Sequence, residues 1–235
     1  MRRFRQLKTW ACAGFLVSMG VMAQTTSDLA PFQEKALTPQ QFRALAGGGF
    51  VLYMRHGNTD NSRPDAYPKV DLADCNTQRV LNDEGRKVAT EVGGYFRQAR
   101  IPILEVIYSP LCRARDSAQL AFGRMGVKLR QELNLMYLGN FTTEEKKPIL
   151  GMTRQLLSQP VAAGGNRVLV AHAPNLADLM GYFVKPEGTV VVIRPLDAGR
   201  FEYVGSIHPA DWPSLLASGK ASAAVVPTAH IEGDR

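Results

Sequence analysis

Apolar positions along this chain fall into two patterns. Short, largely apolar runs at Phe50 to Met54, Val106 to Tyr108 and Arg167 to Ala171 are bounded by glycine, proline or polar residues. They read as strands buried on both faces. Between them the spacing turns helical. Asn82 or Asp83 can cap a helix running to about Arg100, with Val88, Val92, Tyr95 and Phe96 on one side. Thr38 followed by Pro39 opens a shorter helix to about Ala46, which Gly47-Gly48-Gly49 stops. Further helices are expected over 112–122, 147–158 and 174–183, with a short one after Pro209. Thr189 to Ile193 is β-branched, and Phe201 to Ser206 can pair with it as a hairpin. The segment 58–80, rich in Asp, Asn, Pro and Ser, reads as a loop, and 127–145 fits neither period. Strand and helix alternate, so the expected fold is α/β, a three-layer α/β/α sandwich with a mostly parallel central sheet. Ligands bind such sheets beyond the carboxyl ends of the strands.

The chain ends change the picture. Arg2, Arg3, Arg5 and Lys8 precede an apolar run from about Trp10 to Val21, and Val21-Met22-Ala23 forms a small-x-small-like site before Gln24. Residues 1–23 therefore read as a secretory signal, and the expected location is periplasmic or secreted. The run is short for a membrane span, so no stable span is expected after cleavage. Residues 24–37 read as a flexible lead-in, 38–218 as the folded domain and 219–235 as a loose tail. The whole chain carries +7, and the first 23 residues hold four cations and no anion, which leaves +3 for the remainder. That mild excess suits a small anionic substrate; no basic stripe suggests nucleic acid. Beyond the signal, Cys75 and Cys112 remain. In an oxidising compartment a disulfide and two buried thiols are both open.

The chemistry sits at three strand ends. Arg55-His56-Gly57 follows the first run, Ser109 to Ala114 with Arg113 follows the second, and His172 follows the third. Strand ends in one parallel sheet converge, so Arg55, His56, Arg113 and His172 can form one cluster. A neutral imidazole is a competent nucleophile near neutral pH. Arginine offers planar, paired donors to phosphate oxygens. Two arginines and a second histidine supply the charge stabilisation that phosphoryl transfer needs without a metal or other cofactor. Among the His, Cys and carboxylate residues no spacing suits a metal.

These segments resemble the histidine phosphatase superfamily, the phosphoglycerate-mutase-like enzymes. Arg55-His56-Gly57 matches its signature, with Thr59 where Thr or Ser is common. Ser109 to Ala114 matches its Ser-Pro-Leu-x-Arg-Ala segment, and Asp116-Ser117-Ala118 stands where Gln-Thr-Ala is usual. Leu81 to Gly85 with Ala89 is similar to its helix start, and the ordered match spans roughly Val51 to Ile193. The resemblance implies a phosphoglycerate-mutase-like fold and a metal-independent phosphomonoesterase of the histidine acid phosphatase type, acting through phosphohistidine on His56. It makes Arg55, Arg113 and His172 the phosphate pocket, with Asn58 and Thr59 binding substrate. The general acid departs from the pattern. Leu135 stands at the usual glutamate position, counted from Gly139, and Ala173 at the aspartate position of the other branch. Glu132 is the first candidate, with Glu144 and Glu145 behind it; substrate or water is a further proton source. A small phosphorylated substrate is expected, an envelope phosphosugar among the candidates. Phytate is disfavoured by Thr59 and Asn61, where phytases carry Arg and Pro. The alternative is a catalytically silent phosphate-binding or envelope-interaction protein on the same fold.

Overall fold

A computed structural model of the chain describes residues 31–223 apart from 67 and 197. The expected signal and most of the expected tail lie outside the described residues. Six strands form one sheet: β1 (Val51–Arg55), β2 (Ile103–Tyr108), β3 (Lys128–Gln131), β4 (Asn166–Ala171), β5 (Val190–Pro195) and β6 (Phe201–Ile207), in the order β3-β2-β4-β1-β5-β6. The four strands β3, β2, β4 and β1 pair in parallel, and β5 and β6 add an antiparallel hairpin beside β1. The mostly parallel α/β sheet is as the alternation of elements predicts.

Alternation along the central strands makes the three layers. Leu52 and Met54 of β1 and Val168 and Val170 of β4 face one core, with α2 (Asp83–Gln98) and α3 (Cys112–Phe122) above them. Val51, Tyr53, Leu169 and Ala171 face the other, against α4 (Thr143–Ser158) and α5 (Ala173–Met180). Both faces of these strands are buried, which is why their sequences are apolar without a break. Two further helices complete the fold: α1 (Pro39–Ala44), capped by Thr38 as its sequence suggests, and α6 (Trp212–Ala223).

Several boundaries differ from expectation for identifiable reasons. The helix expected over 147–158 begins at Thr143, because Thr142 and Glu145 form a reciprocal capping box ahead of it. The helix expected over 174–183 ends at Met180, where Gly181 turns left-handed at φ 77°. The lead-in expected to be flexible through 37 is packed from Phe32 onward. Phe32 stacks on Tyr182 with ring centroids 4.5 Å apart, Leu37 is buried, and Ala36 bridges to Ser206 of β6. Beyond 218, where a loose tail is expected, α6 continues to Ala223 through an alanine-containing stretch that favours helix. Cys75 and Cys112 are joined by a disulfide, which resolves the open cysteine question and ties the 58–80 loop to the start of α3. Among the described residues no helix is long and apolar enough to cross a membrane.

Candidate active site

The carboxyl ends of β1, β2 and β4 deliver the expected cluster to one place. His56 follows β1, and its main-chain N–H extends the ladder by donating to Ala171 O at 3.1 Å. Its ring Nδ1 lies 2.8 Å from Gly57 O. A carbonyl only accepts, so Nδ1 carries the hydrogen and Nε2 keeps its lone pair. The turn that sets this geometry depends on close backbone approach. A Cβ at Gly57 would meet Gly85 O at 2.4 Å, and one at Gly85 would meet Asn58 O at 2.0 Å. The loop after His56 therefore lies directly on the start of α2.

His172 sits between β4 and α5, fully buried, with its ring 5.2 Å from that of His56. The Tyr53 hydroxyl clamps its backbone, donating to His172 O at 2.7 Å and accepting from His172 N at 3.1 Å. Ser109 Oγ, 2.7 Å from His172 Nε2, accepts from Leu111 N. We assign its hydroxyl hydrogen to Nε2, which leaves Nδ1–H as a buried donor with no protein partner.

Arg113 is buried completely. Its Nη1 donates to Asp65 Oδ1 at 3.0 Å, and its Nε and Nη2 have no protein partner. Arg55 donates through Nη1 to Val184 O at 2.7 Å and through Nη2 to Glu187, and its Nε is unpartnered. Burial pulls both guanidinium groups below their ordinary value, and Asp65 and Glu187 respectively oppose that pull. Both histidines are held well below the usual imidazole value, first by burial and then by the charge of Arg113. Each is therefore neutral near pH 7.

A third arginine belongs to this set. Arg79 depresses both histidines and both other arginines through its charge, and its buried Nε is also without a partner. Its main-chain N–H donates to the same Asp65 Oδ1 at 2.7 Å. Sequence reasoning missed Arg79 and Asp65 because both lie in a loop with no periodicity. Glu187 stands just ahead of the β-branched run at Thr189 and carries no pattern of its own that marks it as a partner of Arg55. The bond from Ser109 to His172 was legible only as part of the Ser-Pro-Leu-x-Arg-Ala segment.

The remaining expected site residues are placed less directly. Asn58 and Thr59 lie beside the cluster and are fixed through their main chains, Asn58 O accepting from Asn82 N at 3.2 Å and Thr59 bridging to Leu81. Glu132 needs correction. Its carboxylate accepts from Asn134 N at 3.0 Å and lies 3.5 Å from Arg130 Nη1, so it caps a turn rather than facing the histidines. Glu144 is exposed and pairs with Lys147 at 2.6 Å. Glu145 is held by the Thr142 cap, whose hydrogen bonds keep its carboxyl below the ordinary value. Asp65, on Arg113, and Glu187, on Arg55, are the carboxylates that touch the cluster among the described residues.

Arg55, Arg79, Arg113 and His172 together present five buried donors without protein partners, around an imidazole whose Nε2 is free to react. Donors buried in this way are costly unless an anion with several acceptor oxygens meets them. A tetrahedral phosphoryl group matches that demand.

Comparison with known proteins agrees with this chemistry. The family model described as the histidine phosphatase superfamily (branch 1) matches residues 51–159, which include Arg55, His56, Arg79 and Arg113. A search of curated proteins found no match. Among solved structures, the protein histidine phosphatase SixA complexed with tungstate aligns with a TM-score of 0.52 at 16% identity, covering 69% of this chain and 98% of that one. A mycobacterial glucosyl-3-phosphoglycerate phosphatase complexed with VO3 aligns at 0.49 and 17% identity, over 66% of this chain and 97% of that one. YhfR of Bacillus stearothermophilus aligns at 0.46 and 17% identity, over 68% and 98%. At such identities the SixA alignment speaks for the fold alone. The family match covers the loop after β1 and the start of α3, so over residues 51–159 the chain is similar to the histidine phosphatase superfamily, branch 1, and its fold agrees with that likeness.

Proposed function

We propose that the chain hydrolyses phosphomonoesters without a metal, through a phosphohistidine on His56. Nε2 of His56 attacks phosphorus as the bond from phosphorus to the ester oxygen breaks. Arg55, Arg79, Arg113 and Nδ1–H of His172 hold the three equatorial oxygens. The departing alkoxide takes one proton. Water then attacks the phosphohistidine, the P–N bond breaks, phosphate leaves, and the water's proton replaces the one spent. We assign this proton traffic to Asp65 instead of Glu132, because Asp65 contacts Arg113 and also lines the adjoining cavity.

The observation that carries the proposal is the set of unpartnered donors surrounding a free Nε2. A purely phosphate-binding protein would need the donors but not the freed nitrogen. The test is hydrolysis of p-nitrophenyl phosphate with a chelator present, beside His56→Ala. Activity that survives chelation and is lost in the variant is expected. Equal turnover by both proteins would sink the proposal.

We further propose that the enzyme works outside the cytoplasm, on a phosphorylated substrate of the envelope or its surroundings. Support comes from the signal-like first 23 residues and from the Cys75–Cys112 disulfide, which suits an oxidising compartment. Cell fractionation, with the mature N-terminus expected at Gln24, tests this; uncleaved protein in the cytoplasm would contradict it.

A further inference from the structure

The phosphate cluster adjoins a cavity of about 460 Å³. Two of its lining residues reach the cluster. Asp65 Oδ1 lies 3.0 Å from Arg113 Nη1, and the Tyr137 ring centroid lies 5.4 Å from the Arg113 guanidinium and 5.8 Å from the His172 ring. Away from these two the walls are largely apolar. Pro68, Val70 and Leu72 come from the 58–80 loop, Leu111 from the start of α3, and Met136 and Phe141 from the stretch ahead of α4.

The polar groups of this cavity are poorly suited to sugar hydroxyls. Lys69, Asn140 and Glu145 are exposed, and Glu145 already gives Oε2 to the Thr142 cap. Asp65 takes Arg113 Nη1 and Arg79 N on Oδ1, and its remaining oxygen is the one left for the proton exchanged with the ester oxygen. Against Pro68, Val70, Leu72, Leu111, Met136 and Phe141 a hydroxyl loses hydrogen bonds that it does not regain, whereas an apolar group gains by the transfer. The size is also informative: small-molecule pockets run from about 300 to 1,000 Å³, so the cavity takes more than a short polyol. One wall is fixed in place. Cys75 is bonded to Cys112, Gln78 Oε1 accepts from Cys112 N at 2.8 Å, and Gln78 Nε2 donates to Asp71 O at 2.7 Å.

We propose that this cavity receives the alcohol part of the substrate and that this alcohol is hydrophobic. The enzyme is then selective for phosphomonoesters of apolar alcohols over phosphosugars. This rests on the phosphatase reading above, because the phosphate must sit on the three arginines for its ester oxygen to face the cavity.

The test is a series of n-alkyl phosphates from butyl to octyl, kept below micelle-forming concentration, with glucose 6-phosphate and naphthyl phosphate beside them. For the wild-type chain kcat/KM is expected to rise roughly two- to fourfold per methylene. Octyl phosphate should exceed glucose 6-phosphate by at least about tenfold. Phe141→Asn and Leu72→Asn should each lower the octyl-to-butyl ratio. A steep alkyl series with weak naphthyl turnover assigns an aliphatic alcohol, and the reverse order of potency assigns an aromatic one. A flat response to both apolar bodies, or preference for the sugar phosphate, overturns the proposal. Calorimetry with n-alkyl phosphonates reads the cavity without turnover. Affinity rising with chain length while no ester is hydrolysed would sink the phosphatase reading and leave the ligand class standing. Hydrolysis with length-independent affinity would do the opposite.

Discussion

Arg79 separates a bound phosphate site built from three arginines from one built from two. Its Nε is buried without a partner and its charge bears on both histidines. Hydrogen bonds to charged groups are worth about 1.5–3 kcal/mol, so Arg79→Ala is expected to lower kcat/KM by roughly ten- to a hundredfold. Arg79→Lys should recover only part of this, since a lysine lacks the planar fork. A change within about twofold in steady-state assays would remove Arg79 from the site. The histidines make a second prediction. Burial and Arg113 hold both well below the ordinary value of about 6.5, so the acid limb of kcat/KM should fall below that pH. Stability follows with a definite sign. Between the lowered native value and the unfolded value, the unfolded chain binds more protons. Stability is therefore full above about pH 6.5 and declines below it, by up to about 1.4 kcal/mol per pH unit for each histidine. Denaturant melts from pH 7.5 to 5 should show this slope. A His56→Asn, His172→Asn variant with an unchanged slope would contradict it.

Among the elements, the disulfide does two jobs. It closes a segment of sequence separation 37, and it anchors the loop bearing Asp65 and Arg79 to the helix bearing Arg113. Replacing Cys75 and Cys112 by serine is expected to cost about 2–4 kcal/mol in urea melts and to raise KM for aryl phosphates. Unchanged KM in a destabilised but folded variant would show that the loop holds its place without the bond. These same elements mark what was legible in the sequence. β1 and β4 are buried on both faces, and burial forces an apolar run that periodicity detects. The chemistry at their ends was legible for the same reason: Arg55, His56 and His172 are polar residues directly after such runs. β3 was not legible, because Lys128-Leu129-Arg130-Gln131 lies at the sheet edge, half in solvent, and needs no apolar pattern. Asp65 and Arg79 were hidden because a disulfide and side-chain hydrogen bonds to Gln78 hold their loop, and such ties leave no periodic trace. Glu132 looked suitable by position along the chain, but its capping bond to Asn134 depends on local backbone direction that spacing does not reveal.

For the molecule as a whole, the parallel strands β2, β4 and β1 end side by side, so one end of the sheet gathers the proposed nucleophile, the buried arginines and the adjoining cavity. Trp212 of α6, stacked on Tyr95 of α2 and edge-on to Phe42 of α1, belongs to the core that α2 and α3 cover. Strand ends and loops thus carry the reaction while the two cores hold them in position. The decisive measurement is to quench turnover of a 32P-labelled aryl phosphate with alkali and to map the label. Alkali-stable, acid-labile phosphate on the peptide containing His56, absent from His56→Ala and retained in His172→Ala at reduced yield, is the expected result. Active protein that carries no label under these conditions, or label on any residue other than His56, would contradict the phosphohistidine mechanism.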